Sequence, residues 1–126
     1  MNIPDNRKYT ADHEWIVVEE DIITVGITDF AQRELGDIVY LEIETEGETI
    51  EKEEIFGTIE AVKTVSDLFM PIGGEIVEVN PDLADNPELV NEDPYDKGWM
   101  IKIKASDLSE LDTLMETDDY KEHIGV

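Results

Sequence analysis

The sequence predicts a mainly β fold: a small sandwich or flattened barrel with one short internal helix and helices near the C-terminal end. Short β-branched runs recur at near-regular spacing, acidic and glycine-containing turns separate them, and helical periodicity is confined to brief stretches. A chain of 126 residues with 40% apolar content can bury a core without disulfides or metal.

Residues 14–19 and 21–26 are β-branched runs split by an acidic turn, which predicts a hairpin. Residues 29–35 read as a short helix. Asp29 with Gln32 imitates a capping box, Thr28 is the rival cap, and Gly36 stands where a C-terminal glycine belongs. Residues 37–44 return to strand, with Val39, Leu41 and Ile43 on one face. Residues 54–62 form the next strand, with Ile55, Gly57, Ile59 and Ala61 facing one way, and residues 64–70 answer it. Pro71 and Gly73-Gly74 interrupt the pattern before residues 75–80 resume it. Gly36-Asp37-Ile38-Val39 is echoed 38 positions later by Gly74-Glu75-Ile76-Val77, as two related β units would produce.

Residues 81–97 contain three prolines among Asp, Asn and Glu, and predict an ordered loop with single helical turns. Residues 98–104 alternate, with Trp99, Ile101 and Ile103 inward and Lys102 and Lys104 outward. Trp15 and Trp99 are both expected in the core. At the end, Ser106 is the expected cap for a helix bearing Leu108, Leu111 and Met115, and Thr117 for a last helix around Tyr120.

The balance of 33 Asp and Glu against 9 Lys and Arg gives a net charge of −24. That field repels phosphate backbones and anionic lipid, so neither nucleic acid nor a membrane is an expected partner. The absence of cysteine excludes thiol nucleophiles and thiolate zinc sites, and suits a reducing compartment. No apolar run is long enough to span a membrane, and Met1 to Tyr9 lack a signal-peptide core. The expectation is one acidic domain over residues 1–126, cytoplasmic and monomeric. Enzymatic constellations are missing. No glycine-rich phosphate loop precedes a helix, no histidine pair has metal-ligand spacing, and the acidic loop lacks calcium-loop spacing. His123 reads as a surface residue.

One residue departs from its surroundings. Lys63 is the single cation between Lys52 and Lys97, an interval that holds twelve carboxylates. It falls between two predicted strands, at a hairpin tip: it is either an ordinary surface lysine at a turn or an amine that rigid strands present for modification by another protein, and composition alone does not decide between them.

The segment Gly57-Thr58-Ile59-Glu60-Ala61-Val62-Lys63-Thr64-Val65-Ser66-Asp67 resembles the lipoyl-attachment segment of the glycine cleavage system H-protein family. The resemblance continues through His13-Glu14-Trp15, Val25-Gly26-Ile27-Thr28, Leu35-Gly36-Asp37-Ile38-Val39, Leu89-Val90-Asn91 and Gly98-Trp99-Met100-Ile101-Lys102-Ile103, in the family's order. It implies a barrel-sandwich hybrid like other lipoyl- and biotinyl-carrier folds, and a carrier rather than an enzyme. Lipoate would be the cofactor, in amide linkage to Lys63. The arm would take an aminomethyl group from a pyridoxal-phosphate glycine decarboxylase to a tetrahydrofolate-dependent aminomethyltransferase, with dihydrolipoyl dehydrogenase reoxidising it. A lipoyl ligase, or an octanoyltransferase with lipoyl synthase, would install it.

By the same resemblance Glu14, Ser66 and Asp67 line the cleft that protects the loaded arm, with Asp12 beside them. There a carboxylate would favour the protonated amine, whose lone pair could otherwise expel sulfur. Glu60 would help a ligase recognise Lys63, and His13 would position its neighbours by hydrogen bonding. Ala61 replaces the family's common serine, Asp12 stands where a hydroxyl residue is frequent, and residues 45–50 lack the usual proline. A biotin carrier would frame its lysine with methionines, whereas Val62 and Thr64 stand here. An H-like relay that donates lipoyl groups to other complexes is the alternative function.

Overall fold

A computed structural model describes residues 1–126. Nine strands form two antiparallel sheets. The larger takes the order β1-β2-β3-β9-β8-β5, and the smaller takes β4-β6-β7. The strands are β1 (Lys8–Tyr9), β2 (Glu14–Glu19), β3 (Ile22–Ile27), β4 (Ile38–Glu42), β5 (Thr49–Ile50), β6 (Ile55–Ala61), β7 (Val65–Phe69), β8 (Gly74–Val79) and β9 (Ile101–Ala105). Four short α-helices accompany them: α1 (Asp29–Leu35), α2 (Asp82–Asp85), α3 (Leu89–Glu92) and α4 (Thr117–Ile124). A 3₁₀ segment runs from Leu108 to Thr113. The mainly β expectation holds.

Alternation along β2 sends its side chains to two different interiors. Ile16 joins the large core with Ile23, Ile59, Ile76 and Ile103. Trp15 joins a second cluster with Ile3, Tyr9 and Tyr120. The Trp15 indole lies against Gly26, where an added Cβ would stand 2.6 Å from the ring. Its Nε1 donates to the Pro94 carbonyl at 2.9 Å.

Two expected alternations fail, and a register shift explains each. Between Ile38 and Tyr40 the β4–β6 pairing shifts, so Ile38 and Leu41 point inward while Val39 is 49% exposed. A second shift between Ile55 and Gly57 puts Phe56 in the core and leaves Ile55 outside. An extra residue reverses the faces beyond it, which period-two reading cannot anticipate. The sequence echo has a structural counterpart. β8 shifts register between Ile76 and Glu78, as β4 does between Ile38 and Tyr40, so each repeat carries the same irregularity at the same place.

Capping also differs in detail. Thr28 caps α1, accepting the Ala31 amide, while Asp29 receives Gln32 Nε2 and Arg33 Nε. Asp107, not Ser106, caps the 3₁₀ segment. Thr117 is the first residue of α4 rather than its cap, and its hydroxyl donates to the Pro4 carbonyl. Trp99 is only half-buried, and Met100 takes the core position beside it. Residues 81–97 hold two single-turn helices, α2 and α3, as expected. No helix is long and apolar enough to cross a membrane.

Candidate functional site: a presented lysine beside a carboxyl-walled cleft

β6 and β7 meet in a tight turn. The Ala61 amide donates to the Thr64 carbonyl at 2.8 Å, and the Val62 amide reaches across to the Asp37 carbonyl at 3.0 Å. Lys63 occupies the tip and is exposed, flanked by the exposed Val62 and Thr64. The ion pairs of this acidic chain are Lys8–Glu116, Arg33–Asp29 and Lys102–Glu78. Lys63 belongs to none of them.

Beside the hairpin lies a cleft of about 300 Å³. One wall is the Ala11–Glu14 turn, another is α1 through Ala31, Glu34 and Leu35, and the third is β7 from Ser66 to Phe69. The structure therefore brings together Asp12, Glu14, Ser66 and Asp67. Glu60 is not among them. It sits in register between Tyr40 and Val65, exposed on the strand surface. α1 contributes three lining residues that sequence reasoning missed. Their i, i+3, i+4 spacing marks one helical face and was the available signal.

Glu14 is 3% exposed. Its Oε2 accepts the Phe69 amide at 3.2 Å, and its Oε1 accepts the Thr10 hydroxyl at 3.3 Å. Burial pushes its carboxyl from 4.5 up to about 8, and the charge of Asp12 adds to the rise. The bonds from Phe69 and Thr10 and the charge of Lys52 oppose it without prevailing. Burial thus favours the neutral acid form of Glu14 in the empty cleft. Asp12 and Asp67 are exposed at the rim.

His13 adopts φ +69°, turning the chain so that Asp12 and Glu14 face the cleft together. Its Nδ1 lies 3.0 Å from the Tyr120 hydroxyl. Burial and nearby His123 lower its pKa. The Tyr120 hydroxyl also meets Thr28 Oγ1 at 2.7 Å, linking α4 to the cap of α1. His123 is exposed, as expected.

A family profile described as glycine cleavage H-protein matches residues 7–125. The glycine cleavage system H protein of Bacteroides fragilis is 60% identical over 121 residues, 96% of either chain. That of Staphylococcus carnosus is 52% identical over 125 residues, 99% of either chain. The crystal structure of a glycine cleavage system H protein from Mycobacterium marinum superposes with a TM-score of 0.91 at 38% identity, covering 98% of this chain and all of that one. With a profile spanning nearly its whole length and full-length relatives above half identity, the chain belongs to the glycine cleavage H-protein family, whose members carry lipoate and are not themselves catalysts.

Proposed function

We propose that residues 1–126 act as one carrier domain, lipoylated at Lys63, that moves the aminomethyl group of glycine between the enzymes of the glycine cleavage system. The observation that carries this is the pairing of a solvated, unpaired lysine at a rigid tip with an adjacent cleft walled by a buried acid. Lipoate supplies a redox-active disulfide on a long flexible chain. The protein supplies everything that the disulfide lacks: a fixed point of attachment, shelter from water, and control of a cationic cargo.

Asp12 and Asp67 would meet a cationic cargo at the mouth, Ser66 would offer it a hydroxyl, and Glu14 lies below. With its pKa near 8, Glu14 costs about 1.4 kcal/mol to ionise at pH 7. An ammonium about 4 Å away returns at most about 4 kcal/mol at an effective dielectric of 20, before desolvation. A cation held there would favour the ionised form of Glu14. The empty cleft needs no standing charge, and the filled one acquires a partner for its cargo.

The decarboxylase, aminomethyltransferase and dihydrolipoyl dehydrogenase would each dock transiently, since one carrier must visit all three. Its acidic surface favours partners with basic docking faces. Incubation with a lipoyl ligase tests the reading directly. Intact mass should rise by one lipoyl amide, and Lys63→Arg should remain unmodified because guanidinium is a poor acyl acceptor. A lipoylated Lys63→Arg chain would overturn the assignment.

A further inference from the structure

The α1–β4 junction, Gly36–Asp37, lies beneath the lysine. A Cβ on Gly36 would stand 3.3 Å from Lys63 Cε, 3.7 Å from Nζ and 4.0 Å from Cδ, so the end of the lysine stem rests on this glycine. Gly36 adopts φ +81° and ψ −157°, a conformation open almost only to glycine. It follows directly on Leu35, the last α1 residue lining the cleft. The end of the stem thus lies over Gly36, the residue that follows the cleft-lining Leu35. No ion pair draws it there.

The junction is also held by one side chain. Asn91 of α3 accepts the Ile38 amide on Oδ1 at 2.9 Å, and its Nδ2 donates to the Gly36 carbonyl at 2.9 Å and to Gln32 Oε1 at 3.0 Å. Asp37 in turn receives the Val62 amide of the lysine turn. The surface under the stem, the last turn of α1 and the hairpin tip are therefore fixed in one frame that passes through Asn91.

We propose that the junction clamped by Asn91 is the track across which the side chain built on Lys63 lies to reach the cleft, with Gly36 and Asn91 as its positioning residues. The proposal rests on acylation of Lys63, and it assigns the arm a path that attachment alone does not require. A side chain at position 36 raises the track and forces an unfavourable backbone. Loss of the Asn91 amide frees the junction while leaving the glycine in place.

The test uses the full chain acylated on Lys63, with intact mass confirming the modification in each variant. In the wild type, acylation should shift the amide resonances of Gly36, Leu35 and Ala31 as well as those of Val62 and Thr64. In Gly36→Ala and Asn91→Ala the shifts at Leu35 and Ala31 should shrink while those at the tip persist. Alkylation of the reduced lipoyl dithiol should become severalfold faster in both. Ile76→Val, in the core away from the junction, controls for lost stability and should leave both measurements unchanged. Should Gly36→Ala fail to fold, Asn91→Ala carries the test, because it imposes no backbone strain. Shifts confined to the tip in the wild type, or an unchanged path and alkylation rate in Asn91→Ala, overturn the track. Failure of the ligase to modify Lys63 would instead overturn the function on which it rests.

Discussion

Glu14 and Phe69 join the two sheets at the cleft: the amide of Phe69, the last residue of β7, donates at 3.2 Å to the carboxyl of Glu14, the first residue of β2. The bond satisfies an edge-strand amide with a buried acid. It also makes that acid part of the scaffold as well as part of the cleft.

Stability should therefore record the protonation of Glu14. The unfolded chain releases this proton near 4.5, whereas the folded chain keeps it until about 8. Between those values the folded state binds the extra proton, so the contribution is full below the lower value and is lost as pH rises through the upper one. Glu14→Gln stays neutral throughout. Relative to the wild type it should gain about 3–4 kcal/mol between about pH 5 and about pH 8, measured by urea unfolding. Parallel pH profiles for the two proteins would show that Glu14 is already ionised when folded.

Retention of cargo is a separate property. Glu14→Gln combined with Asp67→Asn should release formaldehyde faster from the aminomethyl-loaded carrier. The expected increase is roughly fivefold for each kcal/mol of ion pairing removed. Asp12→Asn alone should give a smaller increase through the rim. Equal release from wild type and double variant would return these residues to ordinary surface and scaffold roles.

Tyr120→Phe should loosen the attachment of α4. The hydroxyl serves both Thr28 Oγ1 and His13 Nδ1, and Tyr120 is fully buried. Its removal leaves His13 without that partner and should cost about 1–3 kcal/mol. Thermal unfolding monitored by circular dichroism would read the loss. An unchanged midpoint would mean that water replaces the hydroxyl.

Gly26→Ala should destabilise through crowding. The new methyl would fall 2.6 Å from Trp15 Cε2 and Cζ2, and the ring is locked by its bond to Pro94. Overpacking of this kind costs typically about 1–3 kcal/mol. Chemical denaturation should show the midpoint falling. Recovery on adding Trp15→Phe would assign the effect to that contact.

The outline of the fold is legible in the sequence because β2, β3 and α1 follow their periodicity closely. What escapes is written in three dimensions. Val39 and Ile55 read as inward and are outward, since register shifts leave no composition signal. β1 and β5, two residues each, are too short to form a pattern. The cleft is legible as Asp12, Glu14, Ser66 and Asp67, yet the protonation of Glu14 depends on burial by residues distant in sequence. Asn91 is silent for the same reason. Its partners Gln32, Gly36 and Ile38 lie more than fifty residues away.

The placement of the two tryptophans has an optical consequence. Trp15 is 1% exposed and immediately follows Glu14, whereas Trp99 is half-buried with the Lys102 ammonium 5.1 Å from its ring centre. Acrylamide reaches Trp99 first and leaves Trp15 emitting from a dry site. The residual fluorescence then reports on the packing of the second cluster, around Tyr9 and Tyr120, in solution and without an attached dye.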